Sequence, residues 1–189
     1  MVKTTHRILH DWKLVKFLKE KGNLGDVLDV GSKDSRYKKF MEFNSYTSLD
    51  IDSKFKPDIV GDIEFFESNK KYDTILVTFV FEHLKNPEIV IKNLYSLLKL
   101  SGRIICSTPF IFQNHGEDYW RYSEDCLRMI YGRYFSKVGV IAYGNFISSS
   151  WDILHFFNRI PLINWLVAKF SLILSSRHCP MGHITEAVK

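Results

Sequence analysis

The chain has few cysteines and no long uninterrupted apolar run. Its three cysteines, Cys106, Cys126 and Cys179, are too scattered for a disulfide framework or a C-x2-C metal site. The most apolar region, residues 151–174, contains polar and charged residues, so it lacks the roughly 20 consecutive apolar residues that a membrane span needs. We therefore predict a protein without a metal site that works in a reducing compartment, the cytoplasm.

Three further signatures are missing. The first seven residues are basic, but an amphipathic segment follows them, so we expect no secretory signal peptide. The G-x-G-x-x-G turn of nicotinamide dehydrogenases is absent, which disfavours that enzyme class. The net charge of +5 is a modest excess, and no strand combines basic and aromatic residues in the pattern of an RNA-binding surface. We therefore predict no nucleic-acid partner.

Apolar periodicity divides the chain into helices that alternate with strands. Helical segments are predicted at 5–21, 35–43, 87–99 and 123–131, and strands at 27–30, 46–50, 58–60, 73–79, 103–107, 135–143 and 181–188. Strands that alternate with helices indicate a parallel sheet, because a parallel pair needs a crossover connection. The last strand is predicted to close the sheet in the antiparallel direction. The fold class is therefore α/β, with a doubly wound, mostly parallel seven-stranded sheet and helices on both faces.

The most informative stretch is Asp26-Val27-Leu28-Asp29-Val30-Gly31, an apolar strand that runs into a glycine turn. Glycine lets the backbone turn sharply where a ligand approaches it closely. In an open parallel sheet the ligand lies beyond the carboxyl ends of the strands. Acidic or polar residues follow three further strands, at 50–52, 62–64 and 78–84. Together these turns indicate a nucleotide site and nominate an adenosyl cofactor.

In order and spacing, these motifs resemble those of class I S-adenosylmethionine-dependent methyltransferases, of the small-molecule kind often called methyltransferase type 11. The resemblance covers about residues 27–131 and includes Phe81-Glu82-His83-Leu84 and Ser107-Thr108-Pro109-Phe110. It implies a Rossmann-like methyltransferase fold, methyltransferase activity and S-adenosyl-L-methionine as the cofactor. It also implies the cofactor-binding residues, which are Asp29, Gly31, Ser32, Lys33, Asp50, Ile51, Asp62, Ile63, Thr78 and Phe79.

The resemblance gives each turn a role. Asp50 would accept hydrogen bonds from both ribose hydroxyls, and Asp62 would accept one from the adenine amino group. Ile63 would offer a backbone N–H and an apolar surface to the adenine ring. Gly31 would admit the methionine portion of the cofactor, and residues 78–79 would line the floor near the sulfonium. An aspartate at a strand end can equally cap a turn, and that interpretation stays open for both acids.

The glycine turn departs from the family pattern D-x-G-x-G-x-G. That pattern would place glycines at 33 and 35, where this chain has Lys33 and Ser35. In one interpretation the turn opens and Lys33 or Arg36 pairs with the cofactor carboxylate. In the other, cofactor affinity is reduced, and the chain is a catalytically impaired, methyltransferase-like binding or scaffold protein.

A loop of charged and aromatic residues follows the strand at 103–107. It resembles a D-[YF]-[WY]-R-[YF]-[ST] signature of a subset of these methyltransferases, and its aromatic faces would suit stacking on a sugar or ring. We expect methyl transfer to an oxygen or nitrogen of a small-molecule or glycan acceptor. The candidate substrate contacts are Asp118, Tyr119, Arg121 and Tyr122. The first candidate base is His115, because imidazole titrates near neutral pH, and the second is His83. Packing of this loop onto the sheet is the competing interpretation.

We expect one domain over residues 1–189. Its parts are an N-terminal docking helix at 1–22, a cofactor-binding core at 23–145, an apolar helical insertion or lid at 146–178 and a closing strand at 179–189. The apolar stretch 151–174 has three interpretations: core and lid helices separated at Pro161, peripheral contact with the inner face of a membrane, or the interface of a homodimer. In the membrane interpretation the contacting aromatic residues are Trp151, Phe156, Phe157, Trp165 and Phe170.

Overall fold

The structure is a computed structural model, and it describes residues 4–113, 116–154, 160–173 and 179–189. The helices in these ranges are α1 (Thr5–Glu20), α2 (Pro87–Leu97), α3 (Glu124–Gly132), α4 (Phe146–Ile153) and α5 (Pro161–Ile173). The strands are β1 (Asp26–Val30), β2 (Ser45–Asp50), β3 (Ile59–Val60), β4 (Tyr72–Thr78), β5 (Leu98–Pro109), β6 (Lys137–Tyr143) and β7 (Gly182–Val188). Short 3-10 turns lie at Lys38–Phe40, Ser53–Phe55 and Phe81–His83.

The strands form one seven-stranded sheet in the order β3-β2-β1-β4-β5-β7-β6. Strands β1 to β5 pair in parallel, and β7 pairs antiparallel with both β5 and β6. The predicted doubly wound sheet and its antiparallel closing strand are therefore confirmed. The strand order reverses between β1 and β4, which is the point where ligands bind in sheets of this kind.

Two apolar clusters, one on each face of the sheet, form the core. Ile75 and Ile104 belong to the cluster under α2 and α3, whereas Leu76 and Ile105 belong to the cluster under α1 and α5. Consecutive strand residues point to opposite faces, so each central strand contributes to both clusters. The predicted placement of helices on both faces is confirmed.

The predicted helix at 35–43 is wrong. The structure has only the single 3-10 turn Lys38–Phe40 in this segment. Lys33 and Ser35 adopt φ angles of 44° and 48°, in the left-handed region, and Met41 is extended. A right-handed helix cannot pass through such residues, so the connection from β1 to β2 stays short and irregular.

The apolar region after β6 forms two helices, and Pro161 begins the second, as its position predicts. Helix α5 buries Asn164, Ala168 and Ser171. Its other faces expose apolar side chains, which are Leu162, Trp165, Leu166, Phe170, Leu172 and Ile173. Among the described helices, none is long and apolar enough to cross a bilayer. Phe156, Phe157 and Leu174 lie outside the described residues.

Candidate active site

The turn after β1 needs glycine at its first position. Gly31 has a φ of +66°, and a Cβ atom built there would lie 2.4 Å from Cγ2 of Val80. The positions of the next two family glycines, Lys33 and Ser35, are also left-handed. The turn therefore keeps the backbone of a glycine-rich loop while carrying side chains, at a cost of about 1–2 kcal/mol per non-glycine residue.

Asp50 holds this turn against the end of β2. Its buried carboxylate accepts hydrogen bonds from the backbone N–H of Lys33, at 2.8 Å, and from that of Asp52, at 2.9 Å. Each carboxylate oxygen has a second lone pair, so it can still accept from a ligand hydroxyl. Asp50 therefore caps the turn and remains an acceptor at the edge where the ribose is expected.

The residues expected around the adenine lie next to Asp50. The backbone N–H of Gly61 donates to the Asp50 carbonyl at 3.0 Å, which places the turn after β3 beside the end of β2. The Asp62 carboxylate accepts from the Glu64 backbone N–H at 2.9 Å. The Ile63 side chain is buried, whereas that of Ile51 is 69% exposed. The structure thus brings the two acidic turns together, with an exposed isoleucine at their rim.

Two buried polar groups lie beneath the glycine turn. The Tyr46 hydroxyl donates to one Asp29 carboxylate oxygen, and the other oxygen has no hydrogen-bond partner among the described residues. The Ser32 hydroxyl is also buried and lacks such a partner in the same ranges. Burial raises the pKa of Asp29 from 3.8 to about 7, although the Tyr46 hydrogen bond opposes this shift.

Helix α1 covers the end of β4, where the sulfonium floor is expected. Thr78 is half-buried, and Phe79 has a φ of 55°. The Phe79 ring lies 4.3 Å from the His10 ring and 5.5 Å from the His6 ring, between centroids. The Arg7 guanidinium lies 5.3 Å from the Phe79 centroid. The predicted docking helix therefore contributes side chains to the candidate site.

His6 and His10 were not predicted as site residues from the sequence. Both are buried, and they continue the four-residue spacing of the buried Leu14 and Leu18 along α1. Residues four apart share a helix face, so this spacing was the available signal.

The turn after β4 carries a buried acid. Glu82 is fully buried, and neither of its carboxylate oxygens has a hydrogen-bond partner among the residues described. Burial raises its pKa to about 8. His83, the second candidate base, donates from Nδ1 to the Glu117 carbonyl. Its Nε2 lies 3.9 Å from Oε1 of Glu82.

We call the charged and aromatic loop that follows β5 the acceptor loop. Its described part, residues 116–122, is hydrogen-bonded to the turn at 81–84. The backbone N–H groups of Tyr119 and Trp120 donate to the Glu82 carbonyl at 2.8 and 3.3 Å. The Trp120 indole donates to the Leu84 carbonyl at 2.8 Å, and the Tyr122 hydroxyl donates to the Phe81 carbonyl at 3.1 Å. The fold therefore brings together the two stretches, 81–84 and 116–122, that the sequence singled out separately.

The four predicted substrate contacts differ in their surroundings. Arg121 pairs with the Asp118 carboxylate through both terminal nitrogens of its guanidinium. Tyr122 is buried, whereas Tyr119 is 46% exposed and the adjacent Trp120 is 42% exposed. His115, the first candidate base, lies outside the described residues. The loop thus presents two aromatic side chains, Tyr119 and Trp120, while its ion pair, Tyr122 and the Trp120 indole hold it in place.

These donors and acceptors fit an adenosyl ligand with an anionic tail. The turn has no room for a Cβ at Gly31, and Asp50 offers a carboxylate. Nη1 of Arg36 is buried without a hydrogen-bond partner in the described part of the chain. No group of three or more His, Cys, Asp or Glu among the described residues is placed to hold a metal ion.

Comparisons with known proteins identify the family. A profile for the methyltransferase domain matches residues 4–138. A comparison with curated proteins found no match.

Several solved structures share the fold at low sequence identity. Phosphoethanolamine N-methyltransferase 2 from Haemonchus contortus, in complex with S-adenosyl-L-methionine, has 11% identity and a TM-score of 0.61 over 94% of this chain and 52% of that chain. This chain therefore spans about half the length of that enzyme. The N-methyltransferase NodS from Bradyrhizobium japonicum WM9, with S-adenosyl-L-homocysteine, has 11% identity and a TM-score of 0.60 over 95% and 85% of the two chains.

A SAM-dependent methyltransferase from Archaeoglobus fulgidus has 16% identity and a TM-score of 0.61, over 95% of this chain and 91% of that chain. Because the family profile covers most of the chain, the protein belongs to the methyltransferase domain family and has the fold of the class I S-adenosylmethionine-dependent enzymes.

Proposed function

We propose that the protein transfers a methyl group from S-adenosylmethionine to an oxygen or nitrogen of a small-molecule or glycan acceptor. The observation that carries this proposal is the meeting of the Gly31 turn, Asp50 and Phe79 at one sheet edge, beside the acceptor loop. When bound, the cofactor would supply a methyl group that its sulfonium already activates.

The chain offers a residue for each part of the cofactor. Asp50 would accept from the ribose hydroxyls, and Asp62 with Ile63 would bind the adenine. The Arg36 guanidinium would pair with the carboxylate, because an unpaired N–H that is buried is costly until it finds an acceptor. This placement of Arg36 supports a binding-competent turn over the scaffold interpretation.

Beyond binding the cofactor, the protein would align the acceptor with the methyl group and exclude water from the site. Methyl transfer from a sulfonium needs its nucleophile held in line, which positioning side chains and a dry site provide. Helix α1 covers Phe79 from one side, and the acceptor loop covers the turn at 81–84 from the other. The acceptor would enter between these two elements.

The acceptor loop favours a ring-shaped acceptor. Tyr119 and Trp120 expose aromatic faces, which suit stacking on a sugar or an aromatic ring. Arg121 already pairs with Asp118, so we assign it to the architecture of the loop before any contact with substrate. The Haemonchus contortus phosphoethanolamine N-methyltransferase 2 has also been crystallised in complex with phosphomonomethylethanolamine and S-adenosylhomocysteine.

The test is release of S-adenosylhomocysteine in the presence of a methyl glycoside, a glucuronoside, a catechol or a primary alkylamine. We expect turnover with at least one of these, and we expect Tyr119→Ala and Trp120→Ala to raise its KM. Leu100→Ala is the matched control, because Leu100 is exposed near the start of β5, at the end of the sheet opposite to the candidate site. No turnover together with no cofactor binding would favour the scaffold alternative.

We also propose that α5 rests on the inner face of an anionic membrane. Lys169 is the one charged residue of α5, and the apolar side chains around it are exposed. The start of α5 and α1 border a groove with more basic than acidic residues in its lining: the bases are Lys16, Lys19, Arg36, Lys38 and Lys39, and the acids are Asp11, Glu20 and Asp34. An apolar helix face beside basic residues is the combination that binds anionic lipid surfaces.

A further inference from the structure

His10 is a buried histidine with one nitrogen unused. It belongs to α1 and its side chain is fully buried. Its Nε2 has no hydrogen-bond partner among the described residues. Its Nδ1 lies 3.1 Å from the Tyr37 hydroxyl oxygen. A neutral imidazole carries a proton on one nitrogen and a lone pair on the other, so the contact at Nδ1 decides the state of Nε2.

The contacts of Tyr37 fix that state. The Tyr37 hydroxyl donates its single proton to Oδ1 of Asp11 at 2.8 Å. Its oxygen can therefore only accept from His10, which places the imidazole proton on Nδ1. The Asp11 carboxylate oxygen also lies 3.7 Å from Nδ1 and favours a proton there. Asp11, Tyr37 and His10 thus form a relay that leaves a lone pair on Nε2.

The relay lies at the proposed reaction site. The His10 ring contacts Phe79 at the end of β4, and Tyr37 belongs to the connection that follows the Gly31 turn. The charges of Arg7 and Arg36 lower the pKa of His10, whereas the charge of Asp11 raises it. The Arg7 guanidinium, which lies 5.3 Å from the Phe79 centroid, would repel an acceptor that arrives as an ammonium, but not a neutral hydroxyl.

We propose that the methyl acceptor is a hydroxyl group and that Nε2 of His10 accepts its proton, with Tyr37 and Asp11 as positioning residues. This inference rests on the proposed function. The hydroxyl oxygen forms a bond to the methyl carbon, and the electron pair of the broken carbon–sulfur bond stays on sulfur. The hydroxyl proton moves to Nε2. The resulting imidazolium is stabilised through Nδ1–H by the Tyr37 oxygen and the Asp11 carboxylate.

The protonation behaviour of His10 agrees with a hydroxyl acceptor. Burial lowers the pKa of His10 to about 4, against the opposing hydrogen bond and charge of Asp11, so the imidazole is neutral at neutral pH. A base this weak cannot deprotonate an alkylammonium. It suffices for a hydroxyl, because oxygen that is gaining a methyl group becomes far more acidic than imidazolium.

The first test needs no acceptor, and its main result comes from the wild-type protein. Nitrogen NMR of the wild-type imidazoles, with the His10 signals identified by their loss in His10→Gln, reports which nitrogen carries the proton. We expect the Nδ1–H form in the free protein and a loss of that preference in Tyr37→Phe. A wild-type Nε2–H form would overturn the proposal.

The second test compares turnover on hydroxyl and amine probes. With a methyl glycoside, a catechol or water as acceptor, we expect His10→Gln to lower kcat by about 100-fold or more while the affinity for S-adenosylhomocysteine is retained. His183→Gln, at another buried histidine, is the matched control and should keep the wild-type kcat. Wild-type kcat in His10→Gln, or turnover with propylamine alone, would overturn the role of His10 and leave the proposed function standing. Loss of cofactor binding in the wild type would instead contradict the proposed function. With no probe turned over, an Nε2–H form in the NMR test would overturn the role of His10.

Discussion

The backbone N–H of Lys33 donates a hydrogen bond to the Asp50 carboxylate at 2.8 Å. This bond joins the turn after β1 to the end of β2, and it is made by a residue that stands where the family has glycine. Asp50 therefore has two tasks in the proposed function, which are to hold the turn and to accept from the ribose.

Replacing Asp50 should weaken cofactor binding. We expect Asp50→Ala to reduce the affinity for S-adenosylhomocysteine by roughly 1–3 kcal/mol, the scale of leaving buried polar partners unmet. Isothermal calorimetry measures the change. Asp52→Ala is the matched control, since the Asp52 side chain pairs with Lys54 at the surface. Equal affinities of Asp50→Ala and wild type would mean that the ribose lies elsewhere.

Restoring a glycine at position 33 should stabilise the fold. Lys33 has a φ of 44°, so Lys33→Gly removes left-handed strain and keeps the backbone N–H that reaches Asp50. We expect the free energy of unfolding in urea to rise by about 1 kcal/mol. The control Lys39→Gly changes a lysine in the right-handed 3-10 turn and should lower stability. Destabilisation by both substitutions would argue against a strained turn.

The buried Asp29 should make stability fall as the pH rises. Its pKa is about 7 in the folded protein and 3.8 when unperturbed, so the folded state binds the proton more tightly. The stability that this tighter proton binding contributes is complete below about pH 4 and is lost as the pH rises through 7. The free energy of unfolding of Asp29→Asn, taken relative to that of the wild type, should therefore rise by about 2 kcal/mol between about pH 5 and pH 8.

Urea unfolding of both proteins at the two pH values measures this gain. The control is Asp26→Asn, because the hydrogen bond from Lys99 lowers the pKa of Asp26 and confines its effect to more acidic solutions. A stability difference between Asp29→Asn and wild type that does not change with pH would show that Asp29 is ionised in the folded protein.

The apolar face of α5 should bind anionic vesicles. We expect wild-type protein to co-sediment with vesicles of phosphatidylglycerol and phosphatidylcholine, and less with phosphatidylcholine alone. The double variant Trp165→Ser with Phe170→Ser should lose most of this binding, at on the order of 1 kcal/mol per side chain. Leu100→Ser with Met129→Ser is the control, since both residues are exposed away from α5. No binding to any vesicle would remove the membrane proposal.

The sequence predicted those features that strand ends determine. Gly31, Asp50 and Asp62 follow apolar strands, and parallel topology brings such residues to one edge of the sheet. The helix predicted at 35–43 was wrong because lysines and apolar residues at helical spacing favour a helix locally. Its actual path depends on Lys33 meeting Asp50, 17 residues away along the chain. Likewise, the contact of Tyr37 with His10 joins residues 27 apart, and no local pattern indicates it.

Calorimetric titration of the wild-type protein with S-adenosylmethionine, S-adenosylhomocysteine and NAD tests most directly whether this fold still binds the methyl donor. We expect one equivalent of either adenosyl ligand to bind and NAD to give no heat of binding. Failure of both adenosyl ligands to bind, or binding of NAD alone, would contradict a methyltransferase that uses S-adenosylmethionine.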